Sequence, residues 1–492
     1  MFKDECLESI TIKSDIKEEK YVRDQLCQTK QVKSVDTGCQ SIDRCSIELQ
    51  TDFDSVLPQS TRIKIDTSKS LTNFMLSVYP IISEQLLANA RSHAFEGYEV
   101  DWEEEKEIET VSCLHTLHNE STSKDHNVTS LSWNCTGSVI AAALGSFNHD
   151  SWCVHQSFVF LWNIDRSNID ECKPDKLIDS DTCLMSIAFH PKQPALLAGG
   201  DFSGKVYIWD MSYEDNPLVA YSGKDSISHQ EPVTKVLWTA SSSLRKHTLI
   251  SVGSDGQMLV WEFNQLRKEL KLNRKFLMQS NTIPRSFRMG MTRNDLKIGI
   301  TCLSPSFQDS SSVFIGMENG GVFKCLIDSK ASGENSSQSP VSQAYMPHSG
   351  TVNGIDVSPQ FDNIFLTCAS DMKVHIYNTQ QVKPIIVIES TAEYLFKAHW
   401  SKTKATVFMI TTSDGNLLVF DLMRNPVSPV NIIRVDEKKA GVHALACNGY
   451  QHNIIATGDS YGIIKVWVLP TILTQEKSSE TSYFNNLEAT DW

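Results

Sequence analysis

The sequence predicts an all-β fold, a ring of seven four-stranded blades, preceded by a disordered tail and a short helical segment. Three observations carry this. A turn-plus-strand unit recurs seven times down the 492 residues. Each copy has an alternating strand and a short buried run upstream of it. The strand that would complete the last copy is missing after it and stands instead before the first.

The clearest copy is Gly199-Gly200-Asp201-Phe202-Ser203-Gly204-Lys205-Val206-Tyr207-Ile208-Trp209-Asp210. Asp201 and Gly204 are turn residues, because Asp bonds its own backbone and Gly tolerates positive φ. A β-branched and aromatic strand follows and ends at Trp209. Ser254–Trp261, Ser370–Tyr377, Ser413–Asp421 and Gly458–Trp467 repeat the pattern. Glu318–Cys325 is a degenerate copy, and Ser157–Trp162 has its turn expanded by an insertion. The aligned end positions are 162, 209, 261, 325, 377, 420 and 467. Successive ends are about 43 to 64 residues apart, near the roughly 40–45 residues of a propeller blade.

Upstream of these units, Val128–Trp133, Cys183–Pro191, Pro232–Trp238, Gly350–Pro359 and Gly441–Cys447 alternate as strands do. Runs such as Val139–Ala143, Leu196–Gly199 and Ile454–Gly458 follow, and their small residues suit strands near a crowded axis. The last repeat stops at Val468-Leu469-Pro470 with its third strand. Val111–Leu117 alternates and precedes the first blade, so it is expected to close the ring and remove the exposed edges. The array over 111–470 resembles the WD-repeat family, which implies a seven-bladed β-propeller. The Gly-His dipeptide usual in that family is missing from most blades, so few of its Asp-His-Ser-Trp networks are expected.

The net charge is −14, which disfavours nucleic-acid binding. Much of the acidity is local, as in Asp101-Trp102-Glu103-Glu104-Glu105. No apolar run is long enough to span a bilayer, and Met1–Glu5 lacks a signal-peptide pattern. The 13 cysteines are scattered without a Cys-x-x-Cys framework. Cys135, Cys183, Cys368 and Cys447 fall in strands expected to be buried, as reduced thiols used for packing.

No catalytic constellation is expected. Gly253-Ser254-Asp255-Gly256 lies in a blade turn and lacks the helix that a phosphate site needs. His190, His348 and His399 sit in blade motifs and read as structural. His115, His118, His126, His149 and His155 are scattered among polar loops with no metal-ligand spacing. No metal and no cofactor is therefore expected.

Residues 1–65 are rich in Lys, Glu, Asp, Ser, Thr and Gln and poor in aromatics. Such a segment buries too little apolar surface to offset its ordering entropy, so it is expected to be disordered. Within it stand three strings of the form x-Gln-Thr/Ser: Cys27-Gln28-Thr29, Cys39-Gln40-Ser41 and Leu49-Gln50-Thr51. Each is compatible with addition as a strand to a partner sheet, or is a chance pair in a polar tail. A helical segment is expected over 66–100. Asp66–Ser70 caps it, and Leu71, Phe74, Met75 and Val78 are spaced along one face. Tyr79-Pro80 is expected to interrupt, with Pro80 opening a second helix marked by Ile81, Ile82, Leu86 and Ala90. This apolar face calls for a cover, either a partner protein or the propeller wall.

Other expectations concern loops and the end of the chain. His149–His155 expands blade one. Residues 264–297, with Arg267, Lys268, Lys271, Arg274, Lys275 and Arg285, are expected to form a basic, partly helical link, either a docking face or a solvated loop. Residues 328–345 are Ser-rich, and 471–492 are expected to be a disordered tail.

The tail strings, the helix, Ala94-Phe95-Glu96-Gly97-Tyr98-Glu99-Val100 and the C-terminal propeller together resemble the dynein intermediate chains. Among these, the closest likeness is to the second-intermediate-chain type of the cytoplasmic dynein of cilia. The resemblance implies a non-catalytic motor subunit for retrograde intraflagellar transport and cilium assembly. In that role the propeller grips a dynein heavy chain. The helix, through Leu71, Phe74, Met75, Val78, Ile82 and Leu86, binds a roadblock-type light chain. The strings bind the dimeric eight-kilodalton light chain, and a nearby stretch holds the Tctex-type light chain. The implied assembly includes a second intermediate chain and involves neither nucleic acid nor membrane. The implied location is the cytoplasm and the cilium, with the ciliary base, centrosome and axoneme. Two rivals are an axonemal dynein intermediate chain and a WD-repeat substrate receptor of a ubiquitin ligase.

Overall fold

The computed structural model describes residues 69–91 and 110–484, except 120–125, 150–152, 154, 224–227, 241–246, 281–296, 308, 329–339, 391–393, 437–438, 476–479 and 481–482. The chain divides into two units, Met1–Trp102 and Glu103–Trp492. The second contains seven four-stranded antiparallel sheets. Blade 1 spans residues 127–180, blade 2 184–221, blade 3 233–277, blade 4 300–345, blade 5 352–389 and blade 6 395–434. Blade 7 takes three strands from 442–468 and its fourth from Ser112–Leu117. That last strand pairs antiparallel with Ile464–Val468, matching Leu117 to Ile464 and Ser112 to Val468. The expected ring closure is therefore present. All seven expected end positions lie on third strands, and all seven are buried.

The first strands of neighbouring blades lie side by side and form the inner wall. The small-residue runs occupy the second strands, one step further out. Each inner strand carries a β-bulge near its start, as between Val128 and Ser130 or Val352 and Gly354. A bulge adds local twist where strands crowd around an axis.

Each inner strand is also the open edge of its sheet, so its outward amides need partners. Side chains of the preceding blade supply some of them. Ile187 N–H donates to Ser130 Oγ at 3.1 Å and Phe189 N–H to Ser132 Oγ at 2.9 Å. Val236 N–H donates to Ser186 Oγ at 3.1 Å, Val357 N–H to Ser304 Oγ at 3.2 Å and Trp400 N–H to Asp356 Oδ2 at 2.9 Å. Across the closing seam, Trp133 Nε1–H donates to the Ala446 carbonyl at 3.1 Å.

The apolar core runs between blades. One cluster joins Trp133, Ile140 and Phe160 of blade 1 to Ala444, Ile454 and Val466 of blade 7. Close approach there depends on glycine. A Cβ on Gly458 would lie 2.4 Å from Val128 Cγ1, and one on Gly200 would lie 2.4 Å from Val233 Cγ1.

Two complete hydrogen-bond chains fasten the turns. In blade 3, Trp261 Nε1–H donates to Ser251 Oγ at 2.8 Å, Ser251 meets His229 Nε2 at 2.8 Å, and His229 Nδ1–H donates to Asp255 Oδ1 at 3.1 Å. In blade 5, Thr367 meets His348 Nε2 at 2.7 Å and His348 Nδ1 meets Asp371 Oδ2 at 3.1 Å. Neither histidine follows a Gly, so the Gly-His dipeptide under-reports these networks. Gly253–Gly256 is the turn that places Asp255, with Gly256 at φ 71°.

Burial pushes Asp255 and Asp371 up, but their histidines and flanking backbone amides outweigh it. Both lie below the ordinary carboxylate range. Blade 7 keeps the Asp and the Thr457–Trp467 contact, at 2.9 Å. Its Asp459 has only the amides of Tyr461 and Ile463 on Oδ1, and Oδ2 is buried without a hydrogen-bond partner. Burial pushes Asp459 up to about 6.

Several expectations are corrected. Glu269–Leu277 is not helical; it is the fourth strand of blade 3, paired with Gln257–Asn264. Its Leu270, Leu272 and Phe276 are apolar anchors between basic residues, and alternation of that kind makes a strand. Arg285 and the rest of 281–296 lie outside the described residues. Of 471–492, the described part is packed rather than disordered. Thr471–Thr474 is a short helix with Leu473 buried. Phe484 is buried 4.7 Å from the Phe361 ring, Tyr483 Oη–H donates to the Leu422 carbonyl at 3.2 Å, and Glu480 accepts from Ala405 N–H at 3.0 Å. Below them, the buried Lys404–Asp421 pair at 2.8 Å adds a bond from Lys404 Nζ to the Ile472 carbonyl at 3.0 Å. Cys183 and Cys368 are buried as expected, whereas Cys135 sits half-buried in a turn and Cys447 is half-buried at a strand end.

Two predictions follow from this packing. Gly458→Ala forces a methyl into Val128 at the closing seam and lowers stability by about 1–3 kcal/mol, read as a lower denaturant midpoint. An unchanged midpoint would show that the seam yields freely. The second concerns pH. A carboxyl raised to about 6 when folded penalises folding above that pH and ceases to do so below the unfolded value of about 3.9. Asp459→Asn thus gains on the parent by up to about 3 kcal/mol between roughly pH 4 and pH 8. Asp255 is depressed, so its contribution is present above about pH 4 and is lost as pH falls further; Asp255→Asn falls behind the parent as pH rises toward about 4, by an amount that then stays constant from roughly pH 4 to pH 8. Melting curves at a series of pH values separate the two trends, and parallel curves would refute both.

Candidate functional site

The first unit contributes one described element, the helix Lys69–Arg91. It is a single helix with Pro80 inside it, not two. Pro80 removes one backbone bond, to the Leu76 carbonyl. Leu76 and Tyr79 of that turn are exposed, so water can take the missing donor's place. Ser83 Oγ–H donates to the Pro80 carbonyl at 2.9 Å and supports the next turn.

On this helix Leu71, Phe74, Met75, Val78, Ile82 and Leu86 share one stripe, at i, i+3, i+4, i+7, i+11 and i+15. Phe74 is 38% exposed, Met75 62%, Ile82 48% and Leu86 63%. Leu71 is exposed and Val78 half-buried. Leu76, Tyr79 and Leu87 continue the exposed apolar surface beyond the stripe. The helix carries no acidic residue in its first turn. An apolar stripe with this spacing suits a partner with an apolar groove. The three strings Cys27–Thr29, Cys39–Ser41 and Leu49–Thr51 lie outside the described residues.

The histidines divide into two groups. Most are structural. His190 Nδ1 accepts the amides of Lys192 and Gln193 at 3.1 and 3.0 Å, and burial lowers it to about 4. His399 Nδ1 meets Asp356 Oδ2 at 3.2 Å, His115 Nδ1 meets Glu171 Oε1 at 2.9 Å, and His126 Nε2 meets the Gln156 carbonyl at 3.0 Å.

His149 and His155 are different. The insertion between the second and third strands of blade 1 carries both, with Cys153 between them. Cys183, immediately before the first strand of blade 2, faces them. One ligating atom from each of His149, Cys153, His155 and Cys183 lies within 4.8 Å of the others. Their spacing in the sequence does not suggest a metal site, yet the fold gathers both with two cysteines. The spacing from His155 to Cys183 hides it, because only the seam between blades brings the two together. The paired His149-x-x-x-Cys153-x-His155 was the available signal.

Around this cluster, Cys183 N–H donates to Cys153 Sγ at 3.2 Å, and Ser146 N–H donates to Cys183 Sγ at 3.3 Å. His149 stacks on Phe202 of blade 2, with centroids 3.9 Å apart. Burial pushes the Cys183 thiol up to about 12, and burial with the neighbouring His155 lowers His149.

Comparison with known proteins places this architecture. The "Dynein axonemal intermediate chain 3 WD40 domain" family matches residues 266–469, from the end of blade 3 to blade 7. The chain is 31% identical over 472 residues to "Cytoplasmic dynein 2 intermediate chain 2" of Mus musculus, covering 94% of this chain and 87% of that protein. It is 32% identical over 431 residues to the Homo sapiens protein of the same name, covering 85% and 79%. Likeness to the Drosophila melanogaster "Cytoplasmic dynein 1 intermediate chain" is lower, 21% over 446 residues and 62% of that protein. With a ring of seven closed blades and identity of this extent across nearly the whole chain, the protein belongs to the dynein intermediate chain family.

Proposed function

We propose that this chain is the non-catalytic intermediate chain of a dynein 2-class motor, which serves retrograde intraflagellar transport and cilium assembly. The observation that carries this is the 31% identity over 94% of the chain to a cytoplasmic dynein 2 intermediate chain. The propeller holds a segment of a heavy chain, and the heavy chain's ATPase supplies force. The N-terminal region recruits light chains. Leu71, Phe74, Met75, Val78, Ile82 and Leu86 dock a roadblock-type light chain. Gln28, Gln40 and Gln50 set the register of their strings on the eight-kilodalton light chain, with Thr29, Ser41 and Thr51 after them and Cys27, Cys39 and Leu49 before them. A nearby stretch takes the Tctex-type light chain.

The exposed stripe supports the roadblock assignment. Burying such side chains yields about 1.5–3 kcal/mol each, enough for a stable complex from one helix. Dimeric light chains would bridge this chain to a second intermediate chain. Tethering then makes the second binding event intramolecular, so weak strings suffice. The expected location is the cytoplasm and cilium, including the ciliary base, centrosome and axoneme.

One observation favours a second reading. The family matched over 266–469 carries an axonemal name. An axonemal intermediate chain would stay fixed along the axoneme, whereas a transport subunit concentrates at the ciliary base and moves.

Affinity purification of the full chain beside a version starting at Ser112 tests the division of labour. The expected result is a dynein 2-class heavy chain on both and light chains on the full chain only. Recovery of a cullin adaptor without dynein subunits would instead identify a ubiquitin-ligase receptor. Within the full chain, Leu71→Asp with Phe74→Asp and Val78→Asp places three charges in an apolar interface. This weakens roadblock-type light-chain capture by more than about 100-fold while heavy-chain capture persists. Retained light-chain capture would remove the helix from this role.

A further inference from the structure

The cluster on the seam of blades 1 and 2 is built like a closed metal site. We propose that His149, Cys153, His155 and Cys183 bind a structural zinc ion. Their ligating atoms already lie within 4.8 Å of one another. In a tetrahedral site with Zn–S of about 2.3 Å and Zn–N of about 2.0–2.1 Å, ligand atoms are roughly 3.3–3.8 Å apart. Closing the cluster by about an ångström completes that geometry, with small movements of an exposed insertion.

Four features beyond proximity point to zinc. Two thiols with two imidazoles are the donor set of structural zinc, and thiolate selects it over calcium or magnesium. His149 Nε2 is buried with no hydrogen-bond partner among the described residues, as a nitrogen reserved for a metal would be. Both sulfurs accept backbone amides, from Cys183 and Ser146, which fixes their positions in the cluster. Finally, room for the thiol is reserved: the nearest atom to a Cβ on Gly145 would be Cys183 Sγ, at 3.2 Å.

With all four positions supplied by protein, no position remains for water or substrate, so the role is structural. The ion fastens the blade 1 insertion to blade 2, across a seam where the stack of His149 on Phe202 is the other ring contact.

The test uses the full chain, purified under reducing conditions and supplied with zinc alone. Elemental analysis after desalting is expected to find about one zinc per chain. Cobalt in its place is expected to show tetrahedral ligand-field bands and thiolate-to-metal charge transfer. Cys153→Ser and His149→Gln each weaken binding by more than about 100-fold, because even outer-support mutations cost 10–100-fold. Both residues are half-buried on the insertion, so these variants keep the propeller, as far-UV circular dichroism checks; Cys113→Ser is the control that keeps its zinc. Background zinc in the parent, unchanged zinc in both cluster variants, or a Cys153–Cys183 disulfide found by mass spectrometry would each overturn the assignment.

Discussion

Seven sheets set on edge around an axis create fourteen strand edges, and the structure depends on how those edges are satisfied. The outer ones belong to fourth strands at the periphery. The inner ones crowd together, where an unpaired amide has little water. Ser130, Ser132, Ser186, Ser304 and Asp356 each reach one blade forward and capture a backbone amide. A short polar side chain is needed here: it must accept a hydrogen bond and still leave room for the neighbouring strand. The bulge near the start of every inner strand turns the chain at a similar level. Ring closure by Ser112–Leu117 then removes the seam that would otherwise stay open.

The same polar logic, applied to the turns, gives blades of unequal strength. Asp255 and Asp371 are buried beside a histidine and stay charged at little expense. Asp459 holds the corresponding position with two amides and no histidine, and its second oxygen faces no donor. Desolvation therefore dominates in blade 7 and is overcome in blades 3 and 5. Blade 7 is also the blade assembled from both ends of the ring. Its stability rests on the pairing of the closing strand and on the packing of Trp467 and Ile455 with Leu473, rather than on its turn.

Most of the ring was legible in the sequence, because each blade must end a strand in a large buried side chain just after a tight turn. Trp162, Trp209, Trp261, Tyr377, Phe420 and Trp467 meet that need. Even Cys325, the poorest match, is fully buried. What was not legible depended on contacts between residues far apart in the chain. His229 and His348 find their aspartates 26 and 23 residues away across a turn, without the dipeptide that advertises them. The docking of Phe484 was hidden because the residues between it and Pro470 are mostly polar; among the described residues Ile472, Leu473, Tyr483 and Phe484 are the apolar anchors, and they meet blades 5 to 7. Pro80 misled in the other direction, since a proline within an exposed turn loses one hydrogen bond without ending the helix.

The His149–Cys183 cluster shows the same limit in its sharpest form. Three of its members are contiguous enough to suggest a loop with ligands, but three do not close a site. The fourth comes from the entrance to the next blade, and only the seam geometry delivers it. A propeller is suited to such a construction. Its first strands hold neighbouring blades at fixed distances, so a residue before one of them is a dependable anchor for an insertion from the blade before. Of the insertion's described residues, His149, Cys153 and His155 are half-buried at most. The proposed metal ion would add its binding free energy to the contacts across this seam. The chain therefore carries candidate sites of two physical kinds: in the ring, an insertion that a metal ion would order from within, and, in the N-terminal unit, an apolar helix stripe that suits a partner's groove.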